Sequence, residues 1–499
     1  MSIYRLSPKS SRNLATKSSC QWPISFMRTK INLRTFGNRH SSLLCNFVSD
    51  QLESTMKNII LFLLITIGVL NVSSAIIIDG RLDNSRIFPG TVHAYKISIP
   101  EEYNPEEGAC LYVGLDGILC NAPNVIDTLI AEKAIPVTIG VYLNPGIVYS
   151  PDDSTILRYN RSYEFDSTTD LLAAFIEEEL LPDVMKHTTP EGQKIKLKTG
   201  GQNAAIFGLS SGGIAAFNVA WQRPDLFSRV FAGCGTFVPM RGGNQLEAIV
   251  RKHEPKPLRI FLQDGYSDTW NPIFGSWYEH NRMLASALEF AGYDCDFDWA
   301  EGGHSVARSS KIFKDVMKWL WRDYPQPIEK GETRNNFLHP LLDLKNSDWQ
   351  QIKGNYRPVM VHDGVFNADT TLYVTREPGT DYLLQYTVDP ITKNLSNGER
   401  FYCLHSYDNV TLSKPSFTFD SLGNLWTLTE AGIQILDQNG RVRGILDLPA
   451  NINKSCLENY QIILDDGVLN LITPDALYFR NLNVKPAVSG LTPPSQGQA

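Results

Sequence analysis

The chain has 499 residues, 42% of them hydrophobic and 20% charged, a globular composition with ample apolar material for a large core. A net charge of −7 and the lack of a basic stripe after residue 60 exclude an ordinary nucleic-acid-binding surface, which needs clustered excess lysine and arginine. The length corresponds to roughly three domain-sized units, counting any segment that is later removed.

Residues 1–55 are rich in Arg, Lys and Ser and almost free of acid. They read either as a leader similar to a mitochondrial transit peptide or as a mis-called start ahead of Met56. Residues 56–75, "MKNIILFLLITIGVLNVSSA", set one lysine before an apolar run from Ile59 to Leu70 and finish in small residues. That is the layout of a secretory signal peptide, and the run is too short for a comfortable membrane span. The expectation is a secreted or secretory-lumen protein with no membrane span after signal removal, or a mitochondrial one if translation starts at Met1. Sequons at Asn160, Asn394, Asn409 and Asn453 are expected in surface loops as glycosylation sites. Cys110, Cys120, Cys234, Cys295, Cys403 and Cys456 are even in number, which permits disulfides, and their scatter equally suits isolated buried thiols.

From 76 to 323 the pattern alternates strands with helices. "GTVHAYKISIP", "ACLYVGLDG", "AIPVTIGVYL", "AAIF", "SRVFAGCG", "LRIFLQDG" and "DCDFDWA" read as strands. "TTDLLAAFIEEELLPDVMKH", the stretch from Ile214 to about Gln222, and "NRMLASALEFAG" carry apolar residues at helical spacing. The alternation predicts an α/β fold, a mostly parallel sheet with helices on both faces. Residues 324–346 carry prolines and charges without a period and read as a linker or docking segment. Residues 347–485 lack helical patterns and show short strands between Gly, Asn and Asp turns, the texture of a smaller all-β module. Residues 486–499 read as an unstructured tail.

One stretch carries chemistry. In "AAIFGLSSGGIAAFNVAW" a buried strand hands over to a helix through Gly208-Leu209-Ser210-Ser211-Gly212, which fits G-x-S-x-G. At such an elbow the residues two before and two after the serine are crowded, so only small side chains fit there. The turn would lift the Ser210 hydroxyl above the carboxyl edge of the sheet, with the Ser211 amide, at the start of the helix, as one oxyanion donor. The loop after the third strand, "LYVGLDGILC", should supply the second donor, from Gly117 or Ile118. His304 follows Gly302-Gly303 after a strand and is the candidate general base. For the acid, "IFLQDGYSDTW" offers Asp268, which lies past the turn, and Asp264 as the alternative at the strand edge. The order Ser, Asp, His along the chain is the one this architecture requires.

Residues 85 to 323, through "FPGTVHAY", "VGLDG", "FGLSSGG", "FLQDGYSD" and "EGGHS", resemble the putative-esterase branch of the α/β-hydrolases, the group that contains enterochelin esterases and is similar to feruloyl-esterase modules. The resemblance implies a serine-dependent carboxylic-ester hydrolase acting on a small-molecule ester, with Ser210 as nucleophile, His304 as base and no cofactor. "YNRSYEFD" is similar to a segment of this branch that carries an Arg and a Glu near the site, which makes Arg161 and Glu164 candidates for substrate contact or for a structural salt bridge. Trp270, Phe274, Trp277 and Tyr278 are candidates to line an apolar pocket, or else core residues. "TFDSLGNLWTLTEAGIQILDQNGRVRGILDLP" resembles the closing blades of gluconolactonase-type six-bladed propellers, which hold a divalent cation at their axis. About 130 residues are available, roughly half of such a propeller. Pro415-Ser416-Phe417 stands where a metal ligand would be, so no metal is expected there. Two rival readings are a metal-dependent lactonase in this segment and a non-catalytic binding protein on an esterase scaffold.

Overall fold

A computed structural model describes residues 75–487 apart from 153, 346–347, 358–362, 408–415 and 451. The leader, the signal segment up to residue 74, the sequon at Asn409, Pro415 and the tail from residue 488 lie outside the described residues.

In chain order the first part comprises β1 (Ile76–Asp83), β2 (Val92–Ile99), β3 (Cys110–Leu115), α1 (Ala122–Ala131), β4 (Thr138–Leu143), β5 (Ile147–Tyr149) and β6 (Ile156–Tyr159). Next come α2 (Arg161–Phe165) and α3, which runs through Leu171–Phe175, a π turn at Ile176–Leu180, and Leu181–Val184. Then follow β7 (Ala204–Leu209), α4 (Ser211–Gln222), β8 (Arg229–Gly233), α5 (Leu246–Lys252), β9 (Arg259–Gly265), the ribbon β10 (Trp270–Asn271) with β11 (Gly275–Ser276), α6 (Trp277–Ala291), β12 (Asp294–Ala300) and α7 (Val306–Trp321). One sheet runs in the order β12-β9-β8-β7-β3-β4-β2-β5-β6, with β1 paired to β2. β12 through β4 are parallel, and β1, β2, β5 and β6 form an antiparallel flank.

Successive residues of the central strands serve opposite faces. In β3, Leu111 and Val113 join the core beneath α3, α4, α5 and α6, whereas Cys110 and Tyr112 join the core beneath α1 and α7. The second face is aromatic: Phe207 packs against Phe231 at 4.8 Å and against Phe313 of α7 at 5.4 Å. Phe313, Val316, Met317 and Leu320 recur at helical spacing and bury one stripe of α7. Truncating a buried phenylalanine in such a layer costs about 3–5 kcal/mol.

Beyond residue 323 three four-stranded antiparallel sheets follow. β13 (Gln350–Lys353) pairs with β24 (Ala476–Asn481), which continues to β23 (Val468–Ile472) and β22 (Gln461–Asp465). The second sheet holds β14 (Gly364–Phe366), β15 (Leu372–Arg376), β16 (Tyr382–Val388) and β17 (Leu395–Cys403). The third holds β18 (Phe417–Phe419), β19 (Leu425–Thr429), β20 (Gly432–Leu436) and β21 (Val442–Leu446). The first strand of the module thus completes its last sheet.

The module does not hang free. Leu383, Tyr402, Phe419 and Ile445 share one continuous apolar core with the residues beneath α4 and α5. Trp221 donates to the Tyr407 hydroxyl at 2.9 Å, and Glu254 accepts both terminal nitrogens of Arg480 at 2.9 Å. The segment 324–346 docks rather than links, with Leu338, Leu341 and Leu342 buried in the module's own core and Asn335 donating to the Arg443 carbonyl at 2.7 Å. The expected tail also begins bound: Pro486 bridges Asp420, and the Ala487 amide donates to Phe419 at 2.8 Å. All six described cysteines are free, so no disulfide forms among them; the buried-thiol reading fits Cys110 and Cys234, whereas Cys120, Cys295 and Cys456 are half-buried and Cys403 is exposed. Asn160 departs from the surface-loop expectation: it is 2% exposed and its amide donates to Glu164 at 2.7 Å, which leaves no room for a glycan. Asn394 and Asn453 are exposed.

Candidate active site

Because β7, β9 and β12 are parallel, the loops that leave their carboxyl ends open on one edge of the sheet. Ser210 leaves β7 at φ 58°, ψ −121°, a conformation sparsely populated by any residue with a side chain. The elbow is held by backbone bonds: the Ser210 amide donates to Gly233 at 3.0 Å, and its carbonyl accepts from Gly213 at 2.9 Å and Thr236 at 3.1 Å. A β-carbon on Gly208 would lie 2.1 Å from the Gly212 carbonyl oxygen, and one on Gly212 would lie 2.9 Å from Asp116 Oδ2. Both glycines therefore have a steric cause.

His304 sits between β12 and α7 on a loop tied to the one that carries Asp268. The Ser267 amide donates to Gly302 at 3.0 Å, and the Tyr266 amide to Ala300 at 2.9 Å. As a result His304 Nε2 lies 2.8 Å from Ser210 Oγ, and Nδ1 lies 2.8 and 3.0 Å from the two Asp268 oxygens. The Asp268 side chain is fully buried, and that of His304 is 32% exposed. Burial raises the Asp268 carboxyl, but the bonds from His304, Asp264 and the Thr269 amide outweigh it and hold the group below the usual carboxylate range.

Asp264, the alternative acid, has a different place. It is fully buried, accepts the Gly265 amide at 2.7 Å, and is pushed well above the usual range by burial and by the bond and charge of Asp268. Its Oδ2 has no hydrogen-bond partner among the described residues, and a buried carboxyl oxygen left without a donor favours the protonated form. The directions of the two shifts favour the proton on Asp264 and the charge on Asp268, which faces the imidazole.

Of the oxyanion candidates, the Gly117 amide donates to the Leu143 carbonyl at 3.1 Å and is not available to substrate. Asp116 and Gly117 both adopt positive φ, so the turn spends that amide on closing against β4. Ile118, the next residue, is 40% exposed, and its amide has no backbone partner among the described residues. Ser211 opens α4, where first-turn amides stand outside the helix ladder.

Arg161 forms a two-toothed ion pair with Asp116 at 2.6 and 2.8 Å and reaches toward the Leu209 carbonyl at 3.4 Å, at the end of the strand that leads to Ser210. Glu164 does not face the cleft. It is 1% exposed and bonded to His93 at 3.1 Å, to Asn160 and to the Gly146 amide at 3.0 Å, so it anchors α2 rather than touching substrate. Trp277 is likewise support: it is 6% exposed, donates to Thr236 Oγ1 at 3.3 Å, and sets its ring edge-on to His304 at 6.2 Å. Trp270, two residues past Asp268, is 70% exposed, whereas Phe274 and Tyr278 are half-buried.

Three neighbours of the site left no clear mark in the sequence. Thr236 Oγ1 lies 3.4 Å from Ser210 Oγ, Asp116 holds Arg161, and Cys234 follows β8 beside the imidazole loop with its thiol directed at the Ser305 carbonyl, 3.9 Å away. Burial, reinforced by the neighbouring acids Asp264 and Asp268, pushes the Cys234 thiol up to about 12. The only available signal was their position just past strand ends.

Residues 90–319 match the family model described as "Putative esterase". No curated protein matches the chain. Among solved structures, a ferulic acid esterase is 18% identical, with 50% of this chain and 99% of that one covered and a TM-score of 0.38. A ferric enterobactin esterase from Salmonella typhimurium is 18% identical over 50% of this chain and 58% of that one, with a TM-score of 0.39. A siderophore hydrolase from Aspergillus nidulans is 19% identical over 52% and 97%, with a TM-score of 0.36. Among the described residues no helix is long and apolar enough to cross a membrane. The family match spans the mixed α/β sheet that carries the strained serine at its elbow, and it supports a carboxylic-ester hydrolase of the putative-esterase branch of the α/β-hydrolases.

Proposed function

We propose that the protein cleaves a small-molecule carboxylic ester through an acyl-enzyme on Ser210, with His304 as general base and Asp268 as the acid that orients it. The unbroken line from Asp268 through His304 to Ser210, 2.8 Å at each link, carries this reading. Neutral His304 donates from Nδ1 to Asp268 and accepts the Ser210 hydroxyl at Nε2. As Ser210 attacks the carbonyl, its proton passes to Nε2 and the Asp268 charge stabilises the imidazolium. The Ser211 amide and the start of α4 meet the developing oxyanion, with Ile118 as the second donor. The imidazolium returns the proton to the leaving alcohol, and water then repeats the cycle on the acyl-enzyme. Arg161, fixed by Asp116 and 37% exposed at its side chain, is placed to contact a polar or anionic part of the substrate.

The β module takes no step in this scheme. We read its three sheets as a partial propeller that covers α4 and α5, and the apolar stretch after Met56 as a signal for the secretory pathway, with Asn394 and Asn453 as its open glycan sites. A fluorophosphonate probe tests the central claim: it should label the wild type and leave Ser210→Ala unlabelled, and chelation should not lower hydrolysis. Equal labelling of both forms would falsify the role of Ser210, and chelator-sensitive hydrolysis would move the chemistry to a metal.

A further inference from the structure

Cys234, Asp268 and His304 each offer one ligand atom, and the three atoms lie within 4.8 Å of one another. The mechanism uses the second and third and has no task for the first. Cys234 and Asp268 are buried in the loops that leave the adjacent strands β8 and β9, while the His304 side chain is 32% exposed behind two glycines. The elements that face this point supply a thiol, a carboxylate and an imidazole, and a solvent-facing side where water could complete a fourth position.

We propose that this cluster is an inhibitory site for zinc or another thiophilic divalent ion, in which Cys234 converts two members of the catalytic relay into a metal trap. The proposal rests on the role given to His304 above. Zinc takes sulfur, nitrogen and carboxylate ligands in a tetrahedron at about 2.0–2.3 Å, so its ligand atoms sit roughly 3.3–3.8 Å apart. The atoms lie within 4.8 Å of one another, so binding requires a closure of about an ångström at most, and His304, the more exposed of the three and preceded by Gly302-Gly303, is the ligand with the most room to turn. The ligand set discriminates among metals, because magnesium and calcium favour all-oxygen shells and a thiolate selects softer ions.

The exchange balances simply. The ion replaces the proton of the Cys234 thiol, which leaves to solvent, and Asp268 and one His304 nitrogen each donate a lone pair. If the ion takes Nε2, the lone pair that would receive the Ser210 proton is used. If it takes Nδ1, the ring proton moves to Nε2 and faces Ser210, with the same result. No oxidation state changes, and removal of the ion restores the relay.

The test uses the full chain freed of metal with a chelator and a chromogenic ester. Zinc should abolish hydrolysis in a dose-dependent way, the chelator should restore it, and magnesium and calcium should have no effect. Cys234→Ala and Cys234→Ser should keep the metal-free rate and need roughly tenfold more zinc or beyond for the same inhibition. Cobalt in place of zinc should give the wild type a thiolate-to-metal charge-transfer band that both variants lack. Equal zinc sensitivity of wild type and variants, or no cobalt band in the wild type, overturns the site. The cobalt spectrum needs no turnover, so a wild type inactive without metal would count against the proposed function while the band still decides the metal site.

Discussion

Gly208 and Gly212 touch across the serine between them: a β-carbon on Gly208 would sit 2.1 Å from the carbonyl oxygen of Gly212, well inside van der Waals contact. The contact is backbone against backbone, so no side-chain rotation can relieve it. Gly208→Ala should therefore cost more than the 1–3 kcal/mol typical of an overpacked core and abolish hydrolysis together with stability. Gly212→Ala meets the Asp116 carboxylate at 2.9 Å instead, a group that can shift, and should cost less. Denaturant unfolding and ester turnover of the two variants compare them directly.

The two acids four residues apart should separate cleanly. Asp268→Asn leaves the volume unchanged but removes the charge that orients His304, and kcat/KM should fall roughly ten-thousandfold. Asp264→Asn replaces a carboxyl that burial and Asp268 push toward its protonated form and that does not touch His304, so activity should stay within about tenfold of the wild type. Comparable losses in both variants would refute the assignment of Asp268 to the relay.

Glu430 gives the molecule a pH-dependent stability away from the relay. Burial, helped by the charge of Asp381 and opposed by backbone bonds and Arg376, raises its carboxyl from 4.5 to about 7. Between those values the folded state keeps a proton that the unfolded chain has released, so stability falls as pH rises through that window and is level above it. The loss amounts to about 3 kcal/mol between the ends of the window. Glu430→Gln should abolish this share, so that the variant gains on the wild type in urea unfolding at pH 8 and not at pH 4.5.

The Glu254 and Arg480 pair joins the two parts of the chain, with side chains 16% and 3% exposed. Glu254→Gln strands a buried guanidinium and should lower stability by about 3–5 kcal/mol. Because the pair lies away from the relay, kcat per folded molecule should not change. For the same reason a chain cut after Asp323, which bares the apolar faces of α4 and α5, should aggregate.

The elbow was legible from five letters because its causes are local: a strand, a helix, and a crowding that admits only small residues two positions before and after Ser210. The mixed sheet was legible from alternation, and the expected strands from "GTVHAYKISIP" to "DCDFDWA" all occur, although α1 and α7 went unread. Burial of isolated polar residues was not legible. Glu164 sits in a five-residue helix too short to show a period and Asn160 stands just before it, and their seclusion depends on Gly146 and on the distant His93.

What the sequence determined by itself is the chemistry on offer: a serine forced into a tight corner, a histidine after paired glycines, and acids past a strand end, in an order one architecture accepts. Only the tertiary structure decided which acid stands against the imidazole, which amide is spent on closing a turn, and that a thiol stands beside the imidazole. Those outcomes depend on distances between loops that leave different strands, and such distances are set by the packing of the whole sheet.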